Sequence, residues 1–247
     1  MNQKLQYIKP LDGLRGFAVI IVLIYHALWT PITGGFLAVD IFFVLSGYLI
    51  TSLLILEYRN NKTINFKAFY KRRFFRLIPA LILVLIVINS WSYFFNDKTT
   101  VTQLLTEAGI VIFYLSNWAR AFQFFPLDMF SHTWSLSIEE QFYLFWPLLF
   151  ILIHKISSKL KNALMILFFL FLGIVIWRIS LVVSIVSVHR LYNAFDTRAD
   201  GLILGCMLGF LLSQSQIRAS LEQKKMWINL GSIFSMIGLL ILFFTIH

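Results

Sequence analysis

The chain has 247 residues, of which 59% are hydrophobic and only 13% charged, with a formal net charge of +10. Soluble domains carry about 25% charged residues, so this composition excludes an ordinary water-soluble fold. It also excludes nucleic acid as the reason for the positive charge, because the basic residues lie in short loops between apolar runs, as membrane topology requires.

Seven apolar runs approach the roughly 20 residues that a helix needs to cross a bilayer. They cover 11–30, 35–56, 74–95, 138–154, 163–186, 199–214 and 227–247. The first has a basic approach but is interrupted by Asp12 and Arg15 and lacks a small-residue cleavage site, so it is expected to be a retained span rather than a signal peptide. A further run, 104–116, is short and contains Glu107. If it is re-entrant or interfacial, sixteen of the 21 lysines and arginines share one face. Lys98, Arg120, Arg190 and Arg198 take the other face, and Arg178 lies within the membrane. The positive-inside rule then places the N-terminus in the cytoplasm. Residues 96–137 form an outer segment rich in interface-type aromatics such as Tyr114, Trp118 and Trp134. The expected fold is an all-α integral membrane bundle, one transmembrane domain over 1–247, with about seven spans and a short re-entrant or interfacial segment. The chain stops at His247 directly after an apolar run, so this domain is expected to be incomplete at its C-terminus. The single Cys206 excludes an internal disulfide.

Several polar residues interrupt these runs. In the first, Asp12–His26, helical periodicity puts Arg15 and His26 on nearly one face, about 16 Å apart along the axis. Histidine is suited to proton transfer near neutral pH; the bland alternative is a packing or interfacial imidazole. Asp40 lies inside the second run, where a carboxylate must find a cation, a donor or a proton. It serves either chemistry or a structural ion pair, while Ser46 and Gly47 suit close helix packing. Arg73 and Arg76, three apart, share a helix face and could hold phosphate through forked hydrogen bonds, or could orient the helix and touch lipid headgroups. Pro79 is expected in the first turns of its helix, where it costs little. Ser137 and Glu140 have capping-box spacing, which leaves Glu139 as the freer candidate for acid–base work. Arg178 needs a partner, for which Asp40 or Glu139 are the candidates. Asp200 is expected to cap the sixth run, in which Gly201, Gly205 and Gly209 form a small-residue packing stripe. In this topology His26, Asp40, Glu139, Glu140, Arg178 and Asp200 fall in the outer half, and Arg73 and Arg76 at the inner surface. No Walker-type loop, H-E-x-x-H or Cys/His cluster occurs, so no metal is expected.

The blocks D-G-L-R-G…H, A-V-D-I-F-F-V-L-S-G, R-F-F-R-L-I-P, H-T-W-S-L-S-I-E-E-Q-F-Y and R-A-D-G-L-I-L-G, in this order from Asp12 to Gly209, resemble the signature blocks of acyltransferase family 3. The resemblance implies a membrane O-acyltransferase of about ten spans with no bound cofactor. Its co-substrate would be acyl-CoA, often acetyl-CoA, and its acceptor a hydroxyl of a carbohydrate such as a cell-surface polysaccharide, at the plasma membrane. It further implies that His26 is catalytic and that Arg73 and Arg76 meet CoA on the cytoplasmic side. Asp40 or Glu139 would support the imidazole, Arg15 would join the donor-binding group, and Glu140, Arg178 and Asp200 would be supporting residues. The competing expectation is a transporter or flippase using Asp40 and Arg178, which inverted repeats or paired broken helices would favour; the sequence displays neither.

Overall fold

The computed structural model describes residues 8–28, 33–95, 100–127, 129–156 and 159–246. Lys4 and Lys98 of the charge count, residues 29–30 of the first expected span and His247 lie outside the described residues. Without water to satisfy the backbone, a lipid-embedded chain must close its hydrogen bonds internally, and every regular element described is helical. In chain order the α-helices are α1 (Lys9–Leu28), α2 (Ala38–Asn61), α3 (Phe66–Phe95), α4 (Val101–Ile112), α5 (Ser116–Phe122) and α6 (Trp134–Ile156). They continue as α7 (Leu160–Val183), α8 (Val188–Asn193), α9 (Phe195–Arg198), α10 (Asp200–Leu212), α11 (Ser215–Gln223) and α12 (Lys225–Thr245). Short 3-10 turns precede α2 and α6.

Six of these helices are long and apolar enough to cross a membrane, and up to seven if α10 and α11, bent by 90° at their junction, count as one span. The chain is therefore an all-α multi-span membrane protein. At 13 residues, α10 rises only about 20 Å. The run expected to be re-entrant or interfacial is α4, 12 residues long, or about 18 Å. That is too short to cross, because its sequence turns at Phe113–Tyr114, where Tyr114 has a left-handed φ of 54°.

The chain divides into two compact units. The first comprises Met1–Asn60, Ile153–Leu170 and Gly201–His247. Its core joins α2 to α10 through glycines. A Cβ on Gly47 would collide with the Leu202 carbonyl, and one on Gly205 with the Val44 carbonyl. Gly209 packs on Thr51 and Gly201 on Phe43. The glycine stripe therefore lets two backbones touch, as its spacing predicts. A second cluster closes α1 onto α12, with Ala18, Ile21, Ala38 and Phe243 buried together.

The second unit comprises Asn61–Leu152 and Phe171–Asp200. Here Leu81 and Leu85 of α3 are buried with Val111 of α4 and with Phe130. Two expectations fail. Because α3 begins at Phe66 rather than 74, Pro79 is the fourteenth of its 30 residues and not in the first turns. The early turns carry five lysines and arginines, which hide the helix start from an apolar pattern. Likewise α6 begins at Trp134, so Ser137 is inside it and donates to the Thr133 carbonyl at 3.1 Å. Ser137 and Glu140 are thus not a capping box, and Glu140 requires another explanation.

Candidate active-site residues

The candidate residues divide between the units: Arg15, His26 and Asp40 belong to the first, and Arg73, Arg76, Glu139, Glu140, Arg178 and Asp200 to the second.

In the first unit, His26 sits in the last turn of α1 and is exposed. Its Nδ1 lies 2.7 Å from the Val22 carbonyl one turn earlier. A carbonyl can only accept, so Nδ1 carries the proton and Nε2 presents its lone pair. The ring of Tyr25 meets the imidazole edge-on at 5.2 Å. The imidazole is therefore oriented by its own helix and not, at Nδ1, by a carboxylate. Asp40 is half-buried in the first turn of α2. Arg15 pairs with Asp12 at 3.6 Å within one turn of α1, a geometry that a helix supplies to any such i, i+3 pair.

In the second unit, α3 and α6 bring a polar cluster together. Tyr70 donates to the Leu144 carbonyl at 2.8 Å, which fixes the register of the two helices. Arg73 then lies over the ring of Tyr143, 4.4 Å from its centroid, and Tyr143 donates to Glu139 Oε2 at 2.8 Å. Glu140 lies within electrostatic reach of Arg73, Glu139 and Arg76. Its Oε1 is buried with no hydrogen-bond partner among the described residues. Tyr143 stands about 14 Å from one end of α6 and about 20 Å from the other. Arg73 is therefore at mid-helix, beside the acidic pair, rather than on the opposite side of the membrane from it. The expected separation of an inner arginine pair from an outer acidic pair is overturned by this contact. Arg76, one turn along α3, is exposed.

Two arrangements hold this cluster in place, and neither carries a motif in the sequence. Gln141, next to Glu140, donates to the Tyr114 carbonyl at 2.7 Å and to Asn117 Oδ1 at 2.9 Å, and Asn117 returns a bond at 3.3 Å. These reciprocal amides tie the turn between α4 and α5 to α6. Arg178 pairs with Asp200 at 2.9 Å and also donates to the Thr197 carbonyl. Its partner is thus neither Asp40 nor Glu139. Asp200 does open α10, as expected, but its carboxylate is committed to this ion pair. The pair accounts for the arginine that would otherwise favour a transporter.

A further ion pair lies between α8 and α9. Asp196 accepts two bonds from Arg190, one of them at 2.8 Å, and one from Trp177 at 2.7 Å. The Arg190 guanidinium also lies over Phe122 and Trp118 of α5. Among the described residues no group of His, Cys, Asp and Glu is arranged to hold a metal ion.

A family model described as an acyltransferase domain matches residues 8–247. The O-acetyltransferase OatA of Staphylococcus aureus (strain NCTC 8325 / PS 47) is 39% identical to the chain, over 89% of it and 37% of OatA. The OatA of strain MRSA252 gives the same values. Another protein, from strain COL, is 38% identical over 99% of the chain and 42% of its own length. The chain thus spans about two-fifths of the length of these relatives. No solved structure matches the chain.

Proposed function

The chain belongs to the acyltransferase domain family, and from that premise we propose that it forms a membrane-embedded O-acyltransferase. The donor is acyl-CoA, most simply acetyl-CoA, and the acceptor is a hydroxyl of a carbohydrate or cell-surface polysaccharide. The enzyme resides in the plasma membrane with its N-terminus in the cytoplasm.

The observation that carries this reading is the tautomer of His26. With Nδ1–H committed to the Val22 carbonyl at 2.7 Å, the exposed Nε2 is a base of the right strength near neutral pH. It takes the proton of the acceptor hydroxyl as the oxygen attacks the thioester carbonyl. A C–O bond forms, the C–S bond breaks, and the proton passes to the leaving thiolate. Asp40 and Glu139 contribute negative charge that favours the transient imidazolium. Arg76, the exposed member of the arginine pair, meets donor phosphate through charge-assisted bonds, and Arg15 adds to the positive field. Arg73 is held by Tyr143 beside Glu140 and sets the charge of the cluster.

The test is transfer of labelled acetyl from acetyl-CoA in membranes carrying the intact protein. A positioned general base contributes about 10²–10⁴-fold, so His26→Ala should lose that factor in kcat. Arg76→Ala should instead raise KM for the donor. Full transfer by His26→Ala rules out the assignment.

A further inference from the structure

The first unit contains a cavity of about 160 Å³ that none of the preceding chemistry uses. It lies where α2, α6 and α10 end and α7 begins, beside the 90° break between α10 and α11. Its polar lining is Tyr58, Arg59, His154, Ser213 and Gln214, with no acidic residue among the lining groups. Arg59 donates from Nη1 to the Ser213 carbonyl at 2.9 Å and from Nη2 towards Ser213 Oγ at 3.3 Å. These bonds occupy two of the five guanidinium N–H groups and fix the plane of the fork. The other N–H groups make no bond among the described residues and belong to a side chain that lines the cavity. The imidazole of His154 is wedged between Tyr58, 4.7 Å away centroid to centroid, and Phe210 at 6.2 Å. Its position is therefore set by packing.

We propose that this cavity is a binding site for a phosphate group attached to an organic remainder. A pre-oriented guanidinium matches two oxygens of a phosphate at once, and the hydroxyl of Tyr58 and the amide of Gln214 supply further donors. The local field has the same sign. Lys155, Lys159 and Lys161 adjoin the cavity in sequence, and the first turn of α7 contributes the positive end of a 24-residue helix. Ile55, Leu160 and Phe210 form an apolar wall for the remainder. Such a group reaches the site either from a phospholipid headgroup or from a soluble phosphate compound. The site stands apart from the donor contacts assigned to Arg76 and does not depend on them.

The test uses the intact protein, delipidated in detergent, and the same protein in nanodiscs. Thermal unfolding is followed with inorganic phosphate titrated at constant ionic strength, and separately in phosphatidylcholine discs with or without a fifth of phosphatidic acid. A ligand that binds the folded state raises the melting temperature by mass action. The wild type should respond to at least one probe. Arg59→Gln and His154→Phe, the latter keeping the aromatic wedge, should weaken the apparent affinity at least tenfold. Response to phosphate alone identifies a soluble ligand, and response to phosphatidic acid alone a lipid. If Arg59→Gln fails to fold, His154→Phe decides. Absence of any response in the wild type, or an unweakened response in the variants that fold, overturns the proposal.

Discussion

Asp196 has its protonation set by neighbours on three elements. Burial alone would push its carboxyl up, but hydrogen bonds from Arg190 and Trp177, with the charge of Arg190, outweigh it and hold the group below its ordinary value of 3.8. A carboxyl that titrates lower when folded adds stability in full above its unfolded value, and that stability is lost as the pH falls through the folded value. The Arg190–Asp196 pair should therefore stabilise the α8–α9 region at neutral pH and cease to do so in acid. Thermal unfolding of wild type and Asp196→Asn should differ near pH 6 and converge towards about pH 3. An undiminished gap in acid would show that the pair's charge is not what stabilises the region. Tyr114 follows the same logic without charge. Its left-handed backbone costs of the order of 1 kcal/mol or more, and the bond from Gln141 to its carbonyl offsets that cost.

Helices α2 and α10 show how an element is specified by what it lacks. Lipid offers no hydrophobic drive for two apolar helices to meet, so their association rests on close backbone packing. A Cβ on Gly205 would meet the Val44 carbonyl and Tyr48 N, and backbone cannot swing aside as a side chain can. By contrast, a Cβ on Gly173 of α7 or Gly231 of α12 meets nothing within 4 Å. Gly205→Ala should cost about 1–3 kcal/mol by overpacking, whereas Gly173→Ala should be neutral or stabilise by up to about 1 kcal/mol through helix propensity. Unfolding of the purified variants measures both, and equal effects would mean that the glycines are not the contact. This stripe was legible because its information is local: three glycines at one spacing. The starts of α3 and α6 were not, since Lys67, Lys71, Arg72, Arg73 and Arg76 break the apolar pattern of one, and Ser137 mimics a cap in the other. The Gln141–Asn117 pair was out of reach for another reason. Its members are 24 residues apart, and neither amide marks its partner. The same holds for Arg178 and Asp200, whose pairing depends on a turn of the chain that no hydropathy window registers.

At the scale of the whole molecule, the number of crossings follows from one short helix. If α4 turned the chain across the membrane, the lysines around α7's start would face the side opposite Lys67 and Lys71, against the charge rule. Its 12 residues and the turn at Tyr114, pinned by Gln141, argue that the chain returns to the side it came from. Residues between α5 and α6, and between α7 and α8, should then share one face, with the α6–α7 connection on the other. The single cysteine makes this testable, since Cys206 is buried and its replacement by alanine gives a silent background. In that background Phe124→Cys and Ser187→Cys should react with a membrane-impermeant maleimide on intact cells. Lys161→Cys should react only after the membrane is opened, because sixteen of the 21 basic residues mark its side as cytoplasmic. Labelling of Lys161→Cys from outside would mean that α4, or a segment beside it, crosses after all. His26 would still keep its tautomer, which one turn of α1 fixes regardless of the side to which the rest of the chain returns.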